Sequence, residues 1–380
     1  MPTPVVLVAG LHADARTAAV DRLLAEHPGS VAIRHDLRTA ARGHVRRIVR
    51  DASGVLDGAD VWLAHGCVPC AVREDLFLQL VRLAPTATLL VVDLWDSAEP
   101  RAVAETIDAD KGQSSLCLTA VITALDAWHM PIDITRGDRL PRSGLPGAGD
   151  ERHVAEVLVR QIEYATALVL VGGDAEDAEL SAAVLGHLAP CTPVHLMSDG
   201  LPQVSGPALC TRELAERIDP ATALLPCESR TGEVTTVVWH RLRPLHPLRL
   251  FHATERLAAW SVRSRGRFWL ASRHDRLLGW DAVAGEVSVR DVGTWLAALP
   301  ETAWDTHSPA RRAAAALDWN PIVGDRVQHL IFIGPDLDRE RIHTLLDSCL
   351  LTREEALAGS DVWSGYDDPF ALVLDGGQVA

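Results

Sequence analysis

Short apolar runs alternate with helix-like stretches through the first half of the chain, and this alternation limits the fold more than any other feature. The runs lie at residues 5–9, 31–34, 61–64, 88–92, 121–125, 168–171 and 194–197, with helical patterns such as 17–26, 74–83 and 154–166 between several of them. Strands that lack polar alternation have both faces buried, and strands separated by helices are joined by crossovers. The pattern therefore predicts an α/β fold, a doubly wound parallel sheet covered on both sides. The Gly/Pro-rich segment "GDRLPRSGLPGAGDE" (137–151) reads as an exposed loop.

After about residue 220 the texture changes. "RFWLAS" and "LLGWDAV" read as paired strands, "RVQHLIFIG" as a buried strand and "DRERIHTLLDSCLL" as an amphipathic helix, with another helix starting near Thr254. The expected organisation is a nucleotide-binding-fold domain over 1–220, a linker over 221–235 and a smaller α+β domain over 236–380.

With 380 residues, 48% of them apolar, the chain can bury two cores. Its net charge of −15 argues against a protein that coats nucleic acid, so no DNA partner is expected, although local basic patches remain. The start, "MPTPVVLVAG", lacks the charged segment and long apolar core of a secretory signal. No apolar run approaches the ~18 residues of a membrane span. Seven scattered cysteines suit a reducing compartment, and a cytoplasmic location is expected.

The run at 5–9 leads into "GLHADARTAAVDRLL", where a doubly wound fold would hold phosphate. A phosphate loop reads G-x-x-x-x-G-K-[ST]: glycines let backbone amides close around the phosphates, the lysine reaches their oxygens and the hydroxyl binds Mg²⁺. Gly10 and Thr17 stand in register, but Ala15 replaces the second glycine and Arg16 the lysine, and Asp14 adds a carboxylate. Tight triphosphate binding is not expected from such a loop; the plain alternative is a strand-turn-helix without ligand.

Residues 65–75 read "HGCVPCAVRED", and the pair Cys67 and Cys70 is half of a tetrahedral zinc site. His65, Glu74, a residue brought in by folding or a second protein would complete it. Two other readings stay open: a thioredoxin-like redox pair at a helix start, and two structural thiols. The remaining five cysteines have no motif spacing and read as small buried hydrophobes.

Gly66, Cys67 and Cys70, followed by Arg73, Asp75 and Leu76, resemble the Gly-Cys-x-Cys-Cys and Arg-x-Asp-Leu segments of the CobW-type G proteins, with Pro69 in place of the middle thiol. "RLAAWSVRSRGRFWLASR", "GDRVQHLIFIGPDLD" and "LLDSCLLTREE" resemble that family's C-terminal signatures. The resemblance implies a P-loop-NTPase-like sheet with a CobW C-terminal-like domain, and zinc on the thiolates. It also aligns the switch region with Asp93–Asp96 and the guanine-reading motif with Val171–Asp174, of which Asp174 alone persists. Lys111 is the chain's single lysine, so neither lysine of such a GTPase is present.

The family branch with such altered motifs, in actinobacteria, includes proteins that bring a hibernation-promoting factor to the small ribosomal subunit when zinc is scarce. The resulting expectation is a non-catalytic, zinc-responsive adaptor that takes no nucleotide; the alternative is a GTP-dependent zinc metallochaperone. For RNA contact, "VRSRGRFWLASRHDR" offers Arg263, Arg265, Arg267, Arg273 and Arg276 around Phe268 and Trp269. Its plainer reading is a core strand with an arginine-bearing exposed face. "ARGHVRRIVR" (41–50) reads as a solvated helix face.

Overall fold

The computed structural model describes residues 2–64, 66–109, 115–140 and 152–376, and the chain divides into two compact units, Met1–Ala215 and Glu216–Ala380. Strands of the first unit are β1 (Thr3–Ala9), β2 (Val31–Asp36), β3 (His44–Asp51), β4 (Gly54–Trp62), β5 (Leu90–Asp93), β6 (Leu116–Asp126), β7 (Ala167–Val171) and β8 (Val194–Leu196). Between them run α1 (Ala13–Glu26), α2 (Val68–Leu83), α3 (Pro100–Ala109), α4 (Met130–Asp133), α5 (Val154–Tyr164) and α6 (Ala175–Leu188); α7 (Thr211–Ile218) follows.

The sheet order is β4-β3-β2-β5-β1-β6-β7-β8, and every pairing from β2 through β8 is parallel. Val5 to Ala9 have no exposed surface, as a central strand covered on both faces requires. The apolar stripe Ala15, Ala19 and Leu23 of α1 packs against Val6, Val8 and Ile122. Full burial of a side chain such as Leu23 contributes roughly 1.5–3 kcal/mol.

Two expectations need correction here. Residues 41–50 are not a helix face: 44–51 form β3, which pairs antiparallel with β2 and with β4. Val45 and Val49 fit a helical spacing, but Val45, Arg47 and Val49 are buried alternately, a period of two. The strand at 61–64 is longer at its start and ends at Trp62. Asp51 forms the hairpin turn, its Oδ1 accepting from the Ser53 and Gly54 amides at 2.8 and 3.2 Å. Most of the 137–151 loop lies outside the described residues.

In the second unit, β9 (Ser229–Thr231), β10 (Val234–Arg241), β11 (Arg263–Phe268), β12 (Arg276–Val283), β13 (Glu286–Thr294) and β14 (Gln328–Pro335) form an antiparallel sheet ordered β13-β12-β11-β14-β10-β9. Its helices include α8 (Pro247–Trp260), α9 (Pro309–Asp318) and α10 (Arg339–Cys349). Trp239, Phe268, Trp280 and Phe332 from the sheet share a core with Leu250 and Leu257 of α8 and Leu346 of α10. Gly266 has φ +150, and a Cβ there would lie 2.0 Å from the His329 carbonyl oxygen, so only glycine lets β11 and β14 pair. Among the described residues no helix is long and apolar enough to cross a membrane.

Candidate functional site

The chain leaves β1 through Gly10, whose φ is +144 and whose Cβ, were it present, would lie 2.1 Å from the Ala124 oxygen. Arg16, one turn into α1, points back under this loop and is 1% exposed. Its guanidinium donates to the Gly10 carbonyl, to Asp93 Oδ1 at 3.2 Å and to Asp96 Oδ1 at 2.5 Å. Burial pushes the Asp93 carboxyl above its ordinary value, against the pull of Arg16 and Arg34. Thr17 Oγ1 donates to the Ala13 carbonyl at 2.9 Å, so its hydroxyl is spent inside the helix. The loop thus holds a cation where a phosphate loop has lysine, and two carboxylates already occupy that cation. Asp174 caps α6 in a reciprocal pair with Asp177, at 3.0 and 2.9 Å.

His12 was not singled out in the sequence, yet it organises the same corner. The Asp126 amide donates to its Nδ1 at 3.0 Å, which leaves the ring proton on Nε2, 3.0 Å from Asp133 Oδ2. A cleft of about 510 Å³ opens over the carboxyl ends of β1, β2 and β5, where open α/β sheets take ligands. Arg16, Arg34, Arg38, Arg136 and Arg139 line it with Trp95 and His35, and Asp36 and Asp96 share the lining.

The thiol pair sits at the start of α2. Cys67 is the N-cap, Pro69 occupies the first turn and Cys70 follows, so both sulfurs lie where the helix end favours negative charge. Cys67 is exposed and Cys70 partly so. Cys67 donates toward Cys70, and Arg73 Nη2 donates to Cys70 Sγ at 3.3 Å; together they lower the Cys70 thiol below its ordinary range. Cys67, the donor, is raised. Cys70 is therefore the more acidic thiol of the pair and the readier metal ligand. No third His, Cys, Asp or Glu donor closes on the pair among the described residues, and His65 lies outside them.

One turn further on, Asp75 ties this helix to the sheet. His35 Nε2 lies 2.7 Å from Asp75 Oδ2, and Arg47 Nη1 donates to Asp75 Oδ1 at 2.7 Å. His35 also lines the cleft. The cleft and the helix bearing the thiols are thus joined through one imidazole and one carboxylate.

Three of the arginines expected to face RNA are buried instead. Arg263 is 2% exposed and donates to Asp281 and to the Ser264 and Ala282 carbonyls. Arg265 is buried, and Arg267 is buried against Asp318 and the Pro220 and Ala223 carbonyls. Arg273 pairs with Asp368 and Asp375, and Arg276 with Asp291. A guanidinium committed to a buried carboxylate is not released to solvent without a large desolvation imbalance. Phe268 and Trp269 are buried as well.

Residues 43–190 match the family described as CobW/HypB/UreG, nucleotide-binding domain, and residues 234–350 the cobalamin synthesis protein CobW C-terminal domain. A protein of Mycobacterium tuberculosis named zinc chaperone Rv0106 is 33% identical over 392 residues, covering 97% of this chain and 93% of its own. The chain belongs to the CobW family. A Dictyostelium discoideum member named zinc-regulated GTPase metalloprotein activator 1 is 25% identical over 337 residues, covering 83% of this chain and 70% of its own. The crystal structure of the Zn(II)-bound YjiA GTPase from E. coli aligns over 92% of this chain at 15% identity, with a TM-score of 0.38. The nucleotide-binding match and a relative named as a GTPase overturn the expectation of a non-enzyme, and they take away support for a nucleotide-free chain.

Proposed function

We propose that this CobW-family chain is a GTP-dependent zinc chaperone, with zinc carried by Cys67 and Cys70 and nucleotide taken by the arginine-lined cleft. The observation that carries this is the His35–Asp75 contact, which joins a cleft-lining ring to the helix that presents the thiolate. A change at the cleft then reaches the sulfurs through one element, the physical requirement for nucleotide and metal to influence each other. The relatives named for zinc and for GTPase activity support the same pairing.

Phosphate reaching Arg16 has to replace Asp96, whose side chain is 60% exposed and free to swing away, while buried Asp93 stays. Trp95 offers a flat apolar face beside the cations. The adaptor reading, in contrast, has lost Arg263, Arg265 and Arg267 of its candidate RNA surface to burial.

The test is Co(II) binding to the purified chain, followed by sulfur-to-metal charge-transfer absorption, with and without GTP and Mg²⁺. A sulfur band that is lost in Cys67→Ser/Cys70→Ser, and an affinity that GTP changes, are expected. Absence of the sulfur band, or indifference of that band's titration to GTP, would overturn the proposal.

A further inference from the structure

In the second unit, three neighbouring strands and one helix end converge on a cluster that the proposed function does not use. The β10–β14 register sets His240 opposite His329, and the β11–β14 register sets Arg267 opposite His329. Directly opposed residues share a sheet face, so the three side chains stand in a row. Asp318, the last residue of α9, reaches this row with Oδ1 at 3.5 Å from His240 Nε2 and 3.9 Å from His329 Nδ1.

Both separations exceed a normal N–H···O hydrogen bond of about 2.7–3.2 Å. The edge of a tetrahedron drawn by nitrogen and oxygen donors about 2.0–2.1 Å from a zinc ion is roughly 3.3–3.4 Å, near the shorter separation and about half an ångström below the longer. One ligand atom from each residue falls within 4.8 Å of the other two, the single such group among the described residues. His329 Nδ1 is buried without a hydrogen-bond partner, a lone pair or proton left facing the gap.

Arg267 fixes the fourth component. Its Nε donates to Asp318 Oδ2 at 2.9 Å, and its Nη1 to the Pro220 and Ala223 carbonyls, both at 3.2 Å. One carboxylate oxygen is thereby spent on the guanidinium and the other is left for the gap, an arrangement that orients a metal-binding carboxylate from behind. The positive charge of Arg267 also weakens any bound cation, which suits an ion that exchanges. His240, 45% exposed, opens the cluster to solvent on one side, leaving room for water or an incoming donor.

We propose that His240, Asp318 and His329 form a second metal site in this chain, with two nitrogens, one oxygen and an open position. It takes zinc or another first-row divalent ion that accepts imidazole and carboxylate. This goes beyond the zinc-chaperone proposal and does not depend on the thiol pair.

The full chain carrying Cys67→Ser and Cys70→Ser is titrated with Co(II), read by d–d absorption and by calorimetry. One equivalent is expected, without a sulfur band. Adding His240→Ala, an exposed site, is expected to weaken it by at least about tenfold, and Asp318→Asn to do likewise. Failure of the double-serine chain to bind Co(II), or binding indifferent to both further substitutions, overturns the site. If the thiol proposal alone is wrong, the unsubstituted chain shows no sulfur band yet still takes up this equivalent.

Discussion

Arg16 stands where a phosphate loop has lysine, enclosed by the Gly10 carbonyl, Asp93 and Asp96. Replacing it with alanine leaves Asp93, 4% exposed, without its closest cation. Arg16→Ala is therefore expected to lower the unfolding free energy by about 3–5 kcal/mol, measured in urea, the cost of breaking a buried ion pair. Asp96→Asn should act oppositely on ligand: with one competing carboxylate neutralised, GTP binds more tightly, checked by calorimetry against the unsubstituted chain. At the thiols, Cys70 is expected to react with iodoacetamide before Cys67 at neutral pH, and Arg73→Ala to slow that reaction, as peptide mapping over time will show. Residues 67 and 70 were legible because a metal-type spacing is local in sequence. The partners Asp93 and Asp96 were legible only as positions in a motif: what they bind, Arg16, is 77 and 80 residues away.

Elements were read well where burial alone decides and poorly where two periods compete. β1, β5 and β7 are buried in nearly every position, and such runs have no face to confuse. β3 carries arginines on both faces, and its inward Arg47 is accepted because Asp75 on α2 takes its charge. Nothing adjacent in sequence signals that compensation. The same holds for β11, whose arginines find Asp281 on β12 and Asp318 at the end of α9. Asp75 binds α2 to β2 and β3, and burial, which pulls its carboxyl up, is outweighed by His35 and Arg47, so it lies below 3.8. A lowered folded value stabilises above 3.8, where the unfolded carboxyl is ionised, and that contribution is lost as pH falls through the folded value. The stability difference between the unsubstituted chain and Asp75→Asn, about 2 kcal/mol near neutrality, should thus shrink on acidification, measured by urea unfolding across pH. Gly266→Ala is expected to disrupt the β11–β14 pairing, at a cost on the order of 3 kcal/mol or loss of folded unit, read by circular dichroism and thermal melting.

At the scale of the whole chain, a net charge of −15 coexists with arginines drawn inward to carboxylates. The overall acidity was visible in composition, and a change of texture after about residue 220 was visible too, but the segment 221–235 expected as a linker holds β9 and the start of β10. The distribution of charge was not visible, because it depends on which strands become neighbours. Arg263 and Arg267, expected from local sequence to face RNA, form interior ion pairs, while the cleft gathered Arg34, Arg38, Arg136 and Arg139 from separate segments. Kinship with CobW proteins was legible in motifs of both halves, whereas the altered loop pointed away from nucleotide, against the nucleotide-binding family match and a relative named as a GTPase. The most direct measurement is the Co(II) affinity of the thiol pair, followed through its sulfur band in the intact chain as GTP and Mg²⁺ are added. A GTP-dependent shift of that affinity, abolished by Cys67→Ser/Cys70→Ser, is the predicted result. A band absent from the start, or one that GTP leaves unmoved, would contradict it.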